Sequence, residues 1–235
     1  MLDIHSHILP GVDDGASSWE EAIAMARCAA EDGIHAIVCT PHMDAESNDI
    51  NDIDVHAELL NRLQQRLVEE RIDITLLPGA EWMLSPDLIN IVQEKGRLGG
   101  SRAFLFELSR YMPVSAGESL VVEAVHKGLR PVIAHPERHP WVDEKNIGIL
   151  EQLCSPGGLL QITAGSLTGE FGKAIQRIAE SIVRKFPEYV IIASDAHRIT
   201  VRKPQIKAGY SALERIRSGL AEEVRIRTNN LLIPD

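Results

Sequence analysis

The 235-residue chain has only three cysteines, Cys28, Cys39 and Cys154, far apart and in no C-x-x-C pair. Such an odd, scattered set supplies neither a disulfide framework nor a thiolate zinc site, and it fits a reducing compartment. None of the three is followed six positions later by arginine, so the C-x5-R phosphate loop of thiol-dependent hydrolases is missing. No apolar run approaches the ~18 residues of a membrane span. No basic stretch precedes an apolar one near Met1, so a cytoplasmic protein without membrane insertion is expected. Basic charge is also short: 24 Lys+Arg face 34 Asp+Glu, a formal net charge of -10. That balance repels polyanions and excludes nucleic-acid binding through a general basic field. A Gly-rich dinucleotide turn, low-complexity stretches and internal linkers are all lacking, so a single domain over residues 1–235 is expected.

What is present is the make-up of an ordinary globular protein, with 44% hydrophobic and 25% charged residues. Short runs rich in Ile, Val and Leu recur at Leu2–His5, Ile34–Thr40, Ile74–Pro78, Ala103–Leu108, Pro131–His135, Gly158–Thr163 and Tyr189–Ala193. They are continuous rather than alternating, as buried parallel strands are, and start about thirty residues apart, enough for a helical crossover each time. Seven such units predict an α/β fold, a distorted seven-stranded parallel barrel. Between them, Ser18 with Glu21 reads as a capping box and Gly33 as a helix stop. Val55, Leu59, Leu63 and Leu67 form an i,i+4 stripe, and Ala174, Ile175, Ile178, Ile182 and Val183 another. The segment after Gly219 reads as a terminal helix or edge segment.

The ionisable residues collect at the strand ends. The first strand delivers His5-Ser6-His7, the second Thr40-Pro41-His42, the third Glu81, the fourth Glu107, the fifth His135-Pro136-Glu137-Arg138 and the seventh Ser194-Asp195-Ala196-His197. Only the sixth, ending in Thr163, delivers none. Parallel barrels place their sites at this C-terminal face. On a strand, i and i+2 share a face, so Asp3, His5 and His7 align, as do Asp195 and His197. Imidazole and carboxylate together suit Mn, Fe or Zn better than Ca or Mg. With Asp14 in the loop after the first strand, the candidate ligands are His5, His7, Asp14, His42, Glu81, Glu107, His135, Asp195 and His197. That is too many for one ion, and Glu81, after a wholly apolar strand, would suit a bridge between two. Asp3 is expected to orient an imidazole. His35 is expected to be structural, His56 and His126 to be solvated on helices, and Asp13-Asp14-Gly15 to form a turn. His139 stays open between a site contact and a loop residue.

His5-x-His7, Thr40-Pro41-His42, His135-Pro136-Glu137-Arg138 and Ser194-Asp195-Ala196-His197 together resemble the polymerase-and-histidinol-phosphatase (PHP) superfamily. The opening Asp3-Ile4-His5-Ser6-His7-Ile8-Leu9-Pro10-Gly11-Val12-Asp13-Asp14-Gly15 resembles, more narrowly, the CpsB-type tyrosine-protein phosphatases of capsule and exopolysaccharide synthesis. The resemblance runs over essentially the whole chain. It implies three divalent ions, of which manganese is the first choice. One would take His5, His7, Glu81 and Asp195; a second Glu81, Glu107 and His135; a third Asp14, His42 and His197. It also implies a phosphotyrosine-bearing autokinase of polysaccharide synthesis as substrate and partner. Three such ions would bring the formal charge from -10 to about -4 and make the site locally positive.

Phosphomonoester hydrolysis needs a nucleophile at neutral pH, which a metal-activated hydroxide supplies, and positive charge around the phosphoryl oxygens. Arg138 is the first choice for that clamp, with an ion pair to a neighbouring carboxylate such as Glu137 as its competing role. Arg198, Arg202 and Arg110 are further candidates for substrate contact. His42 and His197, near the third ion, are candidates for proton transfer. The alternative is a PHP phosphatase acting on a small phosphomonoester, a sugar phosphate or histidinol phosphate. The chain departs from its relatives after His42, where Met43-Asp44-Ala45-Glu46-Ser47-Asn48-Asp49 is acidic; this bears on substrate contacts rather than on metals.

Overall fold

A computed structural model describes residues 1–44 and 52–233 of the chain. The acidic stretch noted after His42 lies, from Ala45 on, outside the described residues. All ladders are parallel. Strands β1 (Leu2–Ser6), β2 (Ala36–Cys39) and β4 (Thr75–Pro78) form one sheet in the order β1-β2-β4. A second sheet runs β3 (His42–Met43), β5 (Glu81–Met83), β6 (Ala103–Glu107), β7 (Arg130–Ala134), β8 (Leu159–Thr163) and β9 (Val190–Ala193). The two sheets approach at β1 and β9, where the Asp195 N–H donates to His5 O at 2.9 Å and the His7 N–H to Ala196 O at 2.8 Å.

The α/β class with parallel sheets is what the spacing predicts, but the strands do not run as one uninterrupted seven-stranded ladder. Among the described residues the ladders divide three and six. The second and third expected strands each split in two at the same level. β2 and β4 pair as far as Cys39 with Pro78, and β3 and β5 resume at His42 with Glu81. Pro41, in the gap, has no N–H to give to a ladder. Gly79, opposite, runs so close to β2 that a Cβ there would lie 2.6 Å from Val38 Cγ1. The split re-aims both chains, and it makes His42 and Glu81 direct cross-strand neighbours.

Burial on both strand faces explains the continuous apolar runs. Leu2, Ile4, Val38, Leu105, Val132 and Ile191 pack in one cluster, while Ile37, Phe104, Phe106, Ile133 and Ile192 belong to another that includes the helices. The helices, in chain order, are α1 (Trp19–Asp32), α2 (Asp52–Glu69), α3 (Leu88–Glu94), α4 (Val114–His126), α5 (Glu151–Cys154), α6 (Ala164–Thr168), α7 (Lys173–Lys185), α8 (Lys207–Ile216) and α9 (Leu220–Asn230). The last answers the open question about the segment after Gly219.

Helix α1 starts on the Ser18 side chain, which accepts from the Glu21 N–H at 3.2 Å, and stops at Gly33 with φ 89°. The reciprocal half of the expected box is displaced by one residue, because the Glu21 carboxylate accepts from Ser17 N and Oγ instead. In α2 the buried stripe is Leu60, Leu63 and Leu67; Val55, expected in it, is exposed. In α7 the buried face is Ile178, Ala179, Ile182 and Val183, with Ala174 outside it. Among the described residues, no helix is long and apolar enough to cross a membrane.

Candidate metal centre

Eight of the nine candidate ligands meet at the C-terminal ends of the strands. Three groups of side chains each bring their nitrogen and oxygen atoms within 4.8 Å of one another: His5, His7 and Glu81; His5, His135 and Asp195; and His7, Asp14, His42 and His197. Two carboxylates hold the centre together. Glu81 Oε2 lies 3.2 Å from His5 Nε2, 3.3 Å from His7 Nε2 and 3.1 Å from His42 Nδ1, while Oε1 lies 2.8 Å from His135 Nε2. Asp195 Oδ1 lies 3.3 Å from His5 Nε2 and 3.4 Å from His7 Nε2. Asp14 Oδ1 closes the outer group, 3.2 Å from His197 Nε2 and 3.5 Å from His42 Nε2.

The outer hydrogen bonds fix which nitrogen faces inward. His5 Nδ1 sits 2.9 Å from Gln161 Oε1, which also accepts the His135 N–H at 3.2 Å. His7 Nδ1 sits 2.7 Å from Asp13 Oδ2. With Nδ1 donating in both rings, each neutral imidazole turns the Nε2 lone pair inward, and the two Nε2 atoms are 3.1 Å apart. Two lone pairs and two carboxylates facing one another need a cation between them. Glu81 Oε2, Asp195 Oδ1 and His197 Nε2 are buried with no hydrogen-bond donor or acceptor of their own, which fits the residues to divalent ions.

Electrostatics point the same way. Burial drives the Glu81 carboxyl upward, but the facing His5 and His135 hold it well below the usual carboxylate range. Asp195 is lowered in the same way, by His5, His7 and Arg138 against its burial. Burial pulls His5, His7 and His42 down, but Glu81 and its companion carboxylates more than offset this, so all three rise. His197 falls to about 4, through burial and the neighbouring His7 charge. The cysteines take no part: burial pushes the Cys154 thiol up to about 12 and raises Cys39 and Cys28 as well.

The backbone is strained where the site is built. His135 (φ 31°), Asp195 (φ 52°) and Arg202 (φ 53°) are three of the four non-glycine residues with positive φ among the described residues. Such conformations persist only where the surroundings over-determine them. In the first loop Gly15 passes so close to His7 that a Cβ would lie 2.0 Å from His7 O.

A cleft of about 300 Å³ opens over the cluster, lined by Asp14, His42, Glu107, Arg110, His135, Arg138, His139, Asp195, His197 and Arg202 among others. Glu107 stands in this wall and belongs to none of the three groups. In the β5–β6 ladder it pairs with Met83, two positions past the level of Glu81, about 6.6 Å further along the strands. Arg138 contacts Asp195 Oδ2 and stacks over Phe171, 5.0 Å from the ring centroid. The competing ion pair therefore does form, but with Asp195 and not with Glu137. The Glu137 carboxylate is buried and accepts from Thr163 N at 3.0 Å and Ser166 Oγ at 2.7 Å. Arg202 bonds Asp195 Oδ2 at 3.3 Å and approaches Asp14 Oδ2 at 3.6 Å. Arg110 lines the cleft, whereas Arg198 is exposed and outside its lining.

Other expectations are corrected. Asp3 orients no imidazole; its carboxylate accepts from Ser194 N at 2.9 Å and Ser194 Oγ at 2.5 Å, tying the end of β9 to β1. The residues that orient imidazoles are Asp13 and Gln161, both missed. Gln161 was visible as a polar interruption within the run Gly158–Thr163. Asp13 sits in an Asp-Asp-Gly turn signal, yet besides His7 it accepts from Gly15 N at 2.9 Å and His42 N at 3.1 Å. His139 is a cleft residue, its Nδ1 accepting from Trp141 N at 3.3 Å. His35 and His126 are exposed; His56, expected to be solvated, is half-buried.

The model of the capsular polysaccharide synthesis family CpsB/CapC matches residues 1–232. The chain belongs to this family. It is 34% identical over 223 residues to the tyrosine-protein phosphatase YwqE of Bacillus subtilis, covering 92% of this chain and 84% of the relative. To the putative tyrosine-protein phosphatase CapC of Staphylococcus aureus it is 35% identical over 212 residues, covering 88% and 81%. A structure described as YwqE from Bacillus subtilis and CpsB from Streptococcus pneumoniae, metal-dependent tyrosine phosphatases, superposes with a TM-score of 0.89 at 32% identity, over 99% of this chain and 94% of the other. A putative histidinol phosphatase of Listeria monocytogenes shares the fold alone, with a TM-score of 0.51 at 11% identity over 90% of this chain and 99% of the other.

Asp13→Asn places an amide where both oxygens now accept, so a donor meets His7 Nδ1–H, His42 N–H or Gly15 N–H. Loss of a partner that orients a ligating imidazole costs about 10–100-fold in metal affinity. A Mn2+ titration of the metal-free variant should show that drop; unchanged affinity would remove Asp13 from the centre.

Proposed function

We propose that the protein is a cytoplasmic, metal-dependent phosphomonoesterase that removes phosphate from tyrosines of a bacterial autokinase controlling capsule or exopolysaccharide synthesis. The observation that carries this reading is the facing pair His5 Nε2 and His7 Nε2, 3.1 Å apart between Glu81 and Asp195, beside a cleft edged by three arginines. The family membership and the named relatives support the substrate class. His5, His7, His135, Glu81 and Asp195 would hold the inner ions. Asp14, His42 and His197 would hold an outer one, with Glu107 contributing from the cleft wall. His, Asp and Glu donors suit three divalent ions, Mn2+ first, with Fe or Zn acceptable to the same set. When bound, such ions supply a hydroxide nucleophile at neutral pH and counter-charge for the phosphoryl group.

The chain's own residues do the rest. Arg138 and Arg202, both turned toward Asp195 Oδ2, line the cleft where phosphoryl oxygens would lie, and their guanidinium forks match those oxygens. The Phe171 ring under Arg138 holds the plane of that fork. A phenolate leaves readily, its parent pKa being ~10, so little general-acid help is needed. Both histidines considered for proton transfer, His42 and His197, belong to the group that would hold the outer ion, and ligation takes the neutral imidazole, so neither is assigned the proton.

Steady-state assays of the Mn2+-loaded protein should give a higher kcat/KM on a phosphotyrosine peptide than on sugar phosphates or histidinol phosphate. Equal or better turnover of the metabolites would overturn the tyrosine reading. Arg138→Ala should lose about 10²–10³-fold in kcat while keeping its metal, because it removes transition-state counter-charge and no ligand. Arg138→Lys should recover little of that loss, since an ammonium lacks the fork. Metal loss accompanying the activity loss in Arg138→Ala would show a structural role instead.

A further inference from the structure

Three tryptophans are present, and only one has a ring left uncovered among the described residues. Trp82 is fully buried. Trp19 is stacked by Arg62 and Arg66, 4.9 and 4.6 Å from its centroid. Trp141 is 50% exposed, yet it is pinned. Its indole Nε1–H donates to Arg110 O at 3.2 Å, its backbone N–H to His139 Nδ1 at 3.3 Å, and its carbonyl accepts from Asn146 Nδ2 at 2.9 Å. Arg110, His139 and the adjoining Pro140 all line the metal cleft. A large aromatic ring is thus fixed just outside that lining, against three residues that belong to it, with its polar tip satisfied and about half its surface in water. Tyr111, next to Arg110, is 90% exposed. The loops after β6 and β7 are tied together through this indole.

An exposed, immobilised aromatic costs apolar hydration and gains nothing for the core. Its rotamer freedom is already lost, so a ligand ring that stacks on it pays little further ordering entropy. The arginines of the same cleft read the phosphoryl group but cannot tell an aryl ester from an alkyl one. We infer that Trp141 is the specificity-determining residue for the aryl group of the ester, stacking on the ring that carries the phosphoryl oxygen. This deepens the tyrosine reading and rests on it for the identity of the natural ligand.

The test compares metal-loaded wild type, Trp141→Ala and Trp141→Phe by calorimetric titration with phenylphosphonate and methylphosphonate, beside kcat/KM on a phosphotyrosine peptide. Wild type should bind the phenyl compound about tenfold more tightly than the methyl one. Trp141→Ala should bring that ratio to about twofold or less with unchanged metal content, and raise KM for the peptide more than it lowers kcat. Trp141→Phe keeps a ring but loses the bond to Arg110 O, and should retain most of the preference. An unchanged ratio in Trp141→Ala overturns the inference. So does equal loss in Trp141→Phe and Trp141→Ala, which would make the indole a tie for the Arg110 loop. A Trp141-dependent aryl preference without peptide turnover above that of metabolites would sink the tyrosine reading and leave the stacking role standing.

Discussion

Glu81→Gln is expected to reduce phosphatase activity on the order of 10³-fold and to lower bound metal at the same time. The side chain is 1% exposed, and its two oxygens face four histidines at 2.8 to 3.3 Å. Glutamine keeps the shape but withdraws the charge, and its amide nitrogen meets lone pairs that are directed at a cation. Removing one partner from a buried charged constellation costs about 3–5 kcal/mol. Taken as lost ion affinity, at about 1.36 kcal/mol per decade, that is two to almost four orders of magnitude, and the activity falls with the bound ion. Elemental analysis and kcat/KM on the same preparation check both halves, with circular dichroism confirming the fold. Full metal occupancy with activity within tenfold of wild type would show that Glu81 is a packing residue with incidental histidine neighbours. Gln161→Leu is the useful contrast. It removes the acceptor for His5 Nδ1 without touching any inward-facing atom, so its loss should be smaller, about the 10–100-fold of an orienting partner.

Much of this site was legible because parallel strands deliver their last residues to one face, so a His, Asp or Glu at six strand ends is a spatial statement made in sequence. His5, His7, His135, Asp195 and His197 follow from that rule alone. His42 and Glu81 reach the centre for a reason the runs conceal. Pro41 and Gly79 break two strands at the same level, and the short β3–β5 ladder after the break sets the two side chains opposite each other. A hydropathy run shows neither the break nor its register, which is why it predicts seven strands where nine form among the described residues. Asp13 was hidden by its own turn chemistry, since Asp-Asp-Gly is a turn signal whichever carboxylate turns toward an imidazole. Asp3 misled for the opposite reason. Period-two alternation puts it on the face of His5, but it lies beside β9, where Ser194 supplies both a backbone and a hydroxyl donor. Arg202 lies seven residues beyond Asp195 and returns to it only through the turn in which the His197 N–H donates to Arg202 O at 3.0 Å. Periodicity carries no information about such a return.

Metal removal should abolish activity and also reverse how stability depends on pH. In the metal-free protein His5, His7 and His42 have raised pKa values. A histidine raised on folding contributes stability that is complete below its unfolded pKa of about 6.5 and drains away as pH climbs through the folded value. Glu81 and Asp195 are lowered, so their contribution is complete above about 4.5 and fails only in strong acid. His197, lowered to about 4, and Asp3, raised by burial to about 6, act at or below pH 6.5 and in opposite senses. Above pH 6.5 the three raised histidines are opposed by one group, the Met1 ammonium, which burial and Arg225 lower from its ordinary 8.0; three outweigh one, so the Tm of chelated protein should fall from pH 6.5 to 8.5. As they lose their protons, Glu81 and Asp195 are left as buried charges facing lone pairs. With Mn2+ the slope should turn upward over the same range, because ligation requires the neutral imidazoles that rising pH provides. The Tm difference between loaded and chelated samples should therefore widen with pH, and calorimetry should register proton release on binding at pH 7. A chelated protein whose Tm is flat or rising above pH 6.5 would mean that the histidines carry no protons there, and that something other than imidazolium holds Glu81 and Asp195 in place.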